Sequence, residues 1–245
     1  MARERTLLLT GFDSEIASDI VEAFAFDEAY DIALTFSEQT EFAVEESDRL
    51  KEITEGRVRV IKCDLADTEQ VDRMVMYVAS EFGSIDTLVT TGVGVHADEL
   101  HSMANIDLAA VMQTTYYSAF NVIRAVLPHM RDREWGRIIS LLLPGSQAPI
   151  SAPTISVQSA ASQALASLLR SAAVENASSG ITINGIAVPV LAQATEANLE
   201  AYSAMIPIGR LPEVSEITSL VRYLAGTEAA YITGNIISLT GGLAI

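Results

Sequence analysis

Residues 6–36 read TLLLTGFDSEIASDIVEAFAFDEAYDIALTF, and this stretch decides the fold. Thr6–Thr10 is a short apolar run between threonines, the pattern of a strand buried on both faces. Gly11 ends it, a helix is expected from about Ser14 to Phe26, and Asp31–Phe36 is a second strand. Strand, helix and strand in so few residues imply a parallel βαβ unit. The alternation continues outward. Further strands are expected at Val58–Lys62, Ile85–Thr90, Arg137–Leu143, Ile181–Val188 and Asn235–Thr240. Between them fall helices at about Glu41–Glu55, Asp67–Phe82, Ile106–Met130, Thr154–Ala177 and Ser215–Leu224. The pattern predicts a single α/β domain over residues 1–245, a Rossmann-like, doubly wound, seven-stranded parallel sheet, with 189–212 as a candidate mobile insert.

Composition narrows the partners. The chain has 245 residues and a formal net charge of -17, and residues 1–60 carry 15 acidic against six basic side chains. Such a surface repels nucleic acid and anionic lipid, so neither a nucleic-acid nor a membrane partner is expected. No run of 18 apolar residues occurs, and MARERTLLLTGFDSE lacks the long apolar stretch of a signal peptide, so a cytoplasmic protein is expected. One cysteine, Cys63, excludes an internal disulfide and reads as small core filling.

Several motifs resemble the short-chain dehydrogenase/reductase family across essentially the whole chain. Thr10-Gly11 opens the first turn as the family's TGxxxGxG does, and Cys63-Asp64-Leu65 resembles its aspartate motif after the third strand. Gly136-Arg137-Ile138-Ile139 is similar to the family's entry to the fifth strand, and Gly180-Ile181-Thr182-Ile183-Asn184 to its GITVN. The tail carries the most specific likeness: Ile208-Gly209-Arg210-Leu211-Pro212-Glu213, then Tyr231-Ile232-Thr233-Gly234 and Gly241-Gly242.

The resemblance implies a chemistry that this chain departs from. The family uses a tyrosine as proton donor or acceptor, and a lysine one helical turn on that lowers the phenol's pKa and holds the ribose. Counting back from Gly180 puts those positions at Gln158 and Ser162. The family's serine falls at Leu143 counted from Gly136, or at Gly145 counted from Gln158; a small insertion within 144–153 leaves Ser146 as the nearby hydroxyl. The family's asparagine falls on Thr115. Alignment register does not matter to the main point. No tyrosine lies between Tyr117 and Tyr202, and no lysine follows Lys62, so a Tyr-x-x-x-Lys pair is impossible here.

The dinucleotide loop is altered in the same sense. In Gly11-Phe12-Asp13-Ser14-Glu15-Ile16-Ala17, Glu15 takes the family's second glycine and Ala17 its third. Glycines there let the backbone approach a pyrophosphate seated on a helix N-terminus. A carboxylate about 4 Å from a phosphate charge costs about 4 kcal/mol at an effective dielectric near 20, or about three decades of affinity. Asn-Asn-Ala-Gly of the family appears as Thr90-Thr91-Gly92-Val93, and Phe36-Ser37 offers no group to select a ribose. Asp64 survives as the residual cofactor-site acid, and a lone aspartate there is more often a helix-capping or turn acid than evidence of adenine binding. No cofactor is expected on this chain, and no metal, since His96, His101 and His129 do not form a ligand set.

In the family, the equivalents of 106–130 and 154–177 pack against a neighbouring subunit as a four-helix bundle. The second helix here carries small residues, Ser159, Ala160, Ala161, Ala164, Ala166 and Ser167, which allow close helix approach. The resemblance and the losses together imply a non-catalytic subunit held in a heterotetramer by a catalytically active homologue that binds NAD. The alternatives are an enzyme of altered chemistry using Ser146, Ser156, Gln158 or a histidine, and a small-molecule sensor using the vacated cleft.

Overall fold

A computed structural model of the chain describes residues 5–11, 15–25, 30–37, 41–54, 57–93, 98–146, 154–189 and 199–243. Seven strands run parallel in the order β3-β2-β1-β4-β5-β6-β7. They are β1 (Arg5–Thr10), β2 (Tyr30–Phe36), β3 (Val58–Lys62), β4 (Thr87–Thr90), β5 (Gly136–Leu142), β6 (Ile181–Ala187) and β7 (Ile236–Ser238). The helices are α1 (Glu15–Ala25), α2 (Glu41–Ile53), α3 (Thr68–Phe82), α4 (Asn105–Met112), α5 (Ser118–Asp132), α6 (Ser156–Asn176), α7 (Leu199–Ala204) and α8 (Val214–Ala225).

Successive strand residues point to opposite faces, and both faces are covered. Leu8, Ala33, Leu88, Ile138 and Ile183 pack against α3, α5 and α6 through Val75, Val126, Leu165 and Leu169. Leu7, Leu9, Ile32, Leu34, Val89 and Ile139 pack against α1, α2 and α8 through Ile20, Val21, Leu50, Ile217 and Val221. Each fully buried Leu or Ile contributes about 1.5–3 kcal/mol, which is why the strands read as continuous apolar runs rather than alternating ones. The sheet reverses its winding between β1 and β4, and this opens a crevice beyond their C-terminal ends.

Conserving backbone hydrogen bonds explains where the elements stop. Strand β4 begins at Thr87 rather than Ile85, because the buried Asp86 carboxylate accepts the Thr6 N–H (2.9 Å) and the Ser84 hydroxyl (2.6 Å). At the other edge, Asn184 donates to the Ile232 carbonyl (2.7 Å) and accepts from the Asn235 N–H (3.1 Å), so β7 starts at Ile236. The GITIN and YITG stretches therefore lock one turn onto β6.

The expected single helix over 106–130 is divided. A π segment, Gln113–Tyr117, separates α4 from α5, and Ser118 gives both its N–H and its hydroxyl (2.8 Å) to the Gln113 carbonyl five residues back. A hydroxyl competing for a helix carbonyl, beside β-branched Thr114 and Thr115, favours the wider turn. Of the stretch 189–212, residues 190–198 lie outside the described residues, and the remainder forms α7 and the turns that lead into α8. The expected start of the first helix at Ser14 also lies outside the described residues. Among the described residues, no helix is long and apolar enough to cross a membrane.

Candidate functional site

A cleft of about 460 Å³ lies beyond the C-terminal ends of β1 to β4. Gly11 follows β1 there with φ +85°, a conformation that costs any residue bearing a Cβ. A Cβ on it would stand 2.9 Å from Thr91 Oγ1 and 3.1 Å from the Gly92 nitrogen. The Thr91 hydroxyl lies 3.0 Å from the Thr10 carbonyl and 2.8 Å from that of Gly11, fastening the turn after β1 to the end of β4. This role of Thr91 was not legible as a motif, since the family's asparagines are absent.

Asp64 lines the cleft and is exposed. Its carboxylate accepts the Ala66 N–H at 3.0 Å and its own N–H goes to Gln70 Oε1 at 3.2 Å, so it shapes the turn leading to α3. Next to it, Asp67 caps α3 by accepting the Glu69 and Gln70 N–H groups (2.9 and 3.1 Å), and Gln70 Nε2 donates to it as well (2.9 Å). The bonds from Gln70 hold Asp67 below the usual aspartate range. Cys63 is buried behind them, and burial first, then Asp64 and Asp67, push its thiol up to about 11. A thiol so placed stays protonated near neutral pH.

Of the loop residues, Asp13 lies outside the described residues and Glu15 is the first residue of α1. Ala17 is fully buried against the sheet, so a small residue at this position serves close packing of α1 rather than contact with a ligand. The charge of the cleft follows. Among its described lining residues Asp64 is the charged one, and no lysine or arginine is present. No basic side chain among these described residues is there to meet a pyrophosphate.

The positions matched to the family's chemistry lie elsewhere. Thr115, Gln158 and Ser162 are each 1% exposed, Ser146 is 3% exposed, and none of these lines the cleft. Gln158 Nε2 reaches the Thr154 carbonyl at 3.4 Å, one turn back on its own helix. The Ser162 hydroxyl is buried with no hydrogen-bond partner among the described residues. Helix α4 closes on α6 through Val111, Val157 and Ala161, with Met103 and Met112 alongside. Gly145, φ +85°, turns the chain after β5, and the Ser146 hydroxyl donates to the Leu143 carbonyl at 2.6 Å. Thr115 on the π segment, Gln158 and Ser162 on α6, and Ser146 after β5 are thus all buried.

Gln113 and Thr114 of the π segment and Ser118 at the start of α5 line the cleft instead, residues that the sequence motifs did not single out. The signal available was the cluster of hydroxyls in Gln113-Thr114-Thr115-Tyr116-Tyr117-Ser118. Among the described residues, no group of three or more His, Cys, Asp and Glu could hold a metal ion. His101 Nδ1 stands 3.2 Å from Glu99 on the exposed surface, His129 lies in the last turn of α5, and His96 lies outside the described residues.

Comparison with known proteins gives this geometry its context. The family model described as enoyl-(acyl carrier protein) reductase matches residues 11–244. The chain is similar to a 3-oxoacyl-(acyl-carrier-protein) reductase FabG of Staphylococcus aureus, 30% identical with 99% of each chain covered. Among solved structures it is similar to an actinorhodin polyketide ketoreductase determined with NADPH, at a TM-score of 0.89 and 24% identity, covering 100% of this chain and 99% of that one. A dehydrogenase/reductase from Serratia marcescens matches with the same TM-score, identity and coverage.

Proposed function

From the premise that the chain belongs to the short-chain dehydrogenase/reductase family, we propose that it is a non-catalytic member of that family. It serves as a subunit that completes an assembly with a catalytically active homologue. The observation that carries the reading is the pair Gln158 and Ser162, buried where the family's proton donor and its lysine stand. An amide and a hydroxyl cannot exchange a proton at neutral pH, and neither reaches the cleft. Asp64, with no cation among the described lining residues to meet a pyrophosphate, supports a chain that binds no NAD or NADP of its own. The dinucleotide sits in the partner subunit.

The assembly face is the family's helix pair. Ile106 (76% exposed), Leu108, Tyr117 and Phe120 present large apolar side chains along α4, the π segment and α5, an arrangement that a facing helix pair would cover in a heterotetramer. A more specific reading, resting on the pattern of losses, is similarity to the inactive subunit of 2-(hydroxy(phenyl)methyl)succinyl-CoA dehydrogenase in anaerobic toluene degradation. The active partner would then oxidise a hydroxyacyl-CoA, in the cytoplasm.

The test is steady-state turnover. The isolated chain should not consume NADH or NADPH with ketone or 3-oxoacyl-CoA substrates, whereas co-expression with a competent homologue should raise that homologue's soluble, active yield. Alcohol oxidation by this polypeptide alone, lost in Ser146→Ala, would transfer the case to an enzyme of altered chemistry. The open cleft of about 460 Å³ favours a second reading, a small-molecule sensor that uses this cleft. Calorimetry with NAD, NADP and acyl-CoA esters separates the two.

A further inference from the structure

We propose that a cavity at the opposite edge of the sheet, built around Arg137, binds a small carboxylate with an aromatic or short apolar body. The cavity, about 430 Å³, lies beyond the N-terminal ends of β5 and β6, away from the cleft. Trp135, Arg137, Ile181, Thr182, Ala230 and Tyr231 form its walls.

Arg137 makes the site. It is 1% exposed, yet among the described residues no carboxylate lies within ion-pair distance of it. Its Nε donates to the Gly226 carbonyl (3.2 Å), and its Nη1 to those of Gly136 (2.8 Å) and Gly180 (3.2 Å). All three acceptors are neutral, and Nη2 has no hydrogen-bond partner among the described residues. The guanidinium lies 3.7 Å from the centroid of the Trp135 ring, and a second one, from Arg5, lies 5.1 Å from the same ring. Two cations thus share one indole in a chain of net charge -17, and burial and Arg5 both push the Arg137 pKa down. A buried cation whose hydrogen bonds all go to neutral carbonyls is stabilised when an anion enters.

The walls select the kind of anion. Thr182 is the register partner of Arg137 on β6, so its hydroxyl lies on the same wall as the guanidinium and offers a second donor. Trp135 and the fully exposed Tyr231 provide rings against which a planar body can stack. Glu134, exposed at the rim, repels a dianion more than a monoanion, which favours a carboxylate over phosphate.

The sole tryptophan of the chain is Trp135, so its fluorescence reports on this cavity directly. Titration with benzoate should give a saturable change with a Kd of about 1 mM or tighter. Acetate should bind about tenfold more weakly, having no ring to stack, and inorganic phosphate should not saturate. Arg137→Lys should weaken benzoate about tenfold or more by losing the planar fork. Thr182→Val, which keeps the side-chain volume, should weaken it several-fold without unfolding the protein. A merely linear benzoate response, phosphate binding tighter than benzoate, or unchanged affinity in both folded variants would overturn the assignment.

Discussion

Replacing Ser162 by lysine restores a family residue and should injure the protein. The position is 1% exposed on α6, and the serine hydroxyl there has no hydrogen-bond partner among the described residues. A lysine would bring extra volume and a charge. Ser162→Met carries the volume alone, and overpacking of this kind costs about 1–3 kcal/mol. The charge is the difference between the two variants. A lysine with no route to water loses about 3 pK units or more on folding, which at 1.36 kcal/mol per unit is about 4 kcal/mol at pH 7. The sign fixes the pH dependence. The folded pKa falls below that of the unfolded chain, so between the two values the unfolded state holds a proton that the folded state lacks. The extra deficit of Ser162→Lys over Ser162→Met should therefore be full near neutral pH and shrink as pH rises toward the unfolded lysine value of about 10.4. Urea midpoints of both variants between neutral pH and about pH 10 measure it. Equal, pH-flat stabilities would mean that the amine reaches the cleft, and the sealing of the catalytic positions would be refuted.

Other predictions address the frame around the site. Arg210 holds Glu216 down at about 2, through a side-chain hydrogen bond helped by the Glu213 N–H. The stability this carboxylate contributes should be complete above its ordinary value of 4.5 and fade as pH falls through about 2, and Glu216→Gln should remove that acid limb from thermal melts. Gly11→Ala should cost about 1–2 kcal/mol by denaturant unfolding, because its φ of +85° is strained for alanine and the new methyl meets Thr91 Oγ1. Cys63, with its thiol pushed up to about 11, should ignore a thiol reagent at pH 8 in the folded protein and react once denaturant is added; rapid native labelling would place it at the surface.

The sheet was legible because buried parallel strands need uninterrupted apolar runs. Leu7–Leu9, Ile32–Leu34 and Ile138–Ile139 leave little freedom in where the strands fall. The absence of a Tyr-x-x-x-Lys pair is read from the sequence directly, since no tyrosine lies between Tyr117 and Tyr202 and no lysine follows Lys62. The π segment was hidden: its wider turn follows from one hydroxyl, that of Ser118, bonding back to Gln113, and no periodicity records such a bond. Identity alone could not tell that Gln158 and Ser162 are shut away from the cleft, because that closure comes from Val111, Val157 and Ala161 meeting across two helices distant in sequence. Arg137 read only as the entry to a strand; its burial beside Trp135 depends on the turns after α6 and before β7 arriving at the same edge.

Native mass spectrometry of the chain co-expressed with a competent homologue tests the central claim most directly, because stoichiometry and retained nucleotide appear in one spectrum. The account predicts a mixed tetramer whose nucleotide is carried by the homologue alone. A homotetramer of this chain that excludes the homologue, or a dinucleotide retained on this polypeptide, would contradict it.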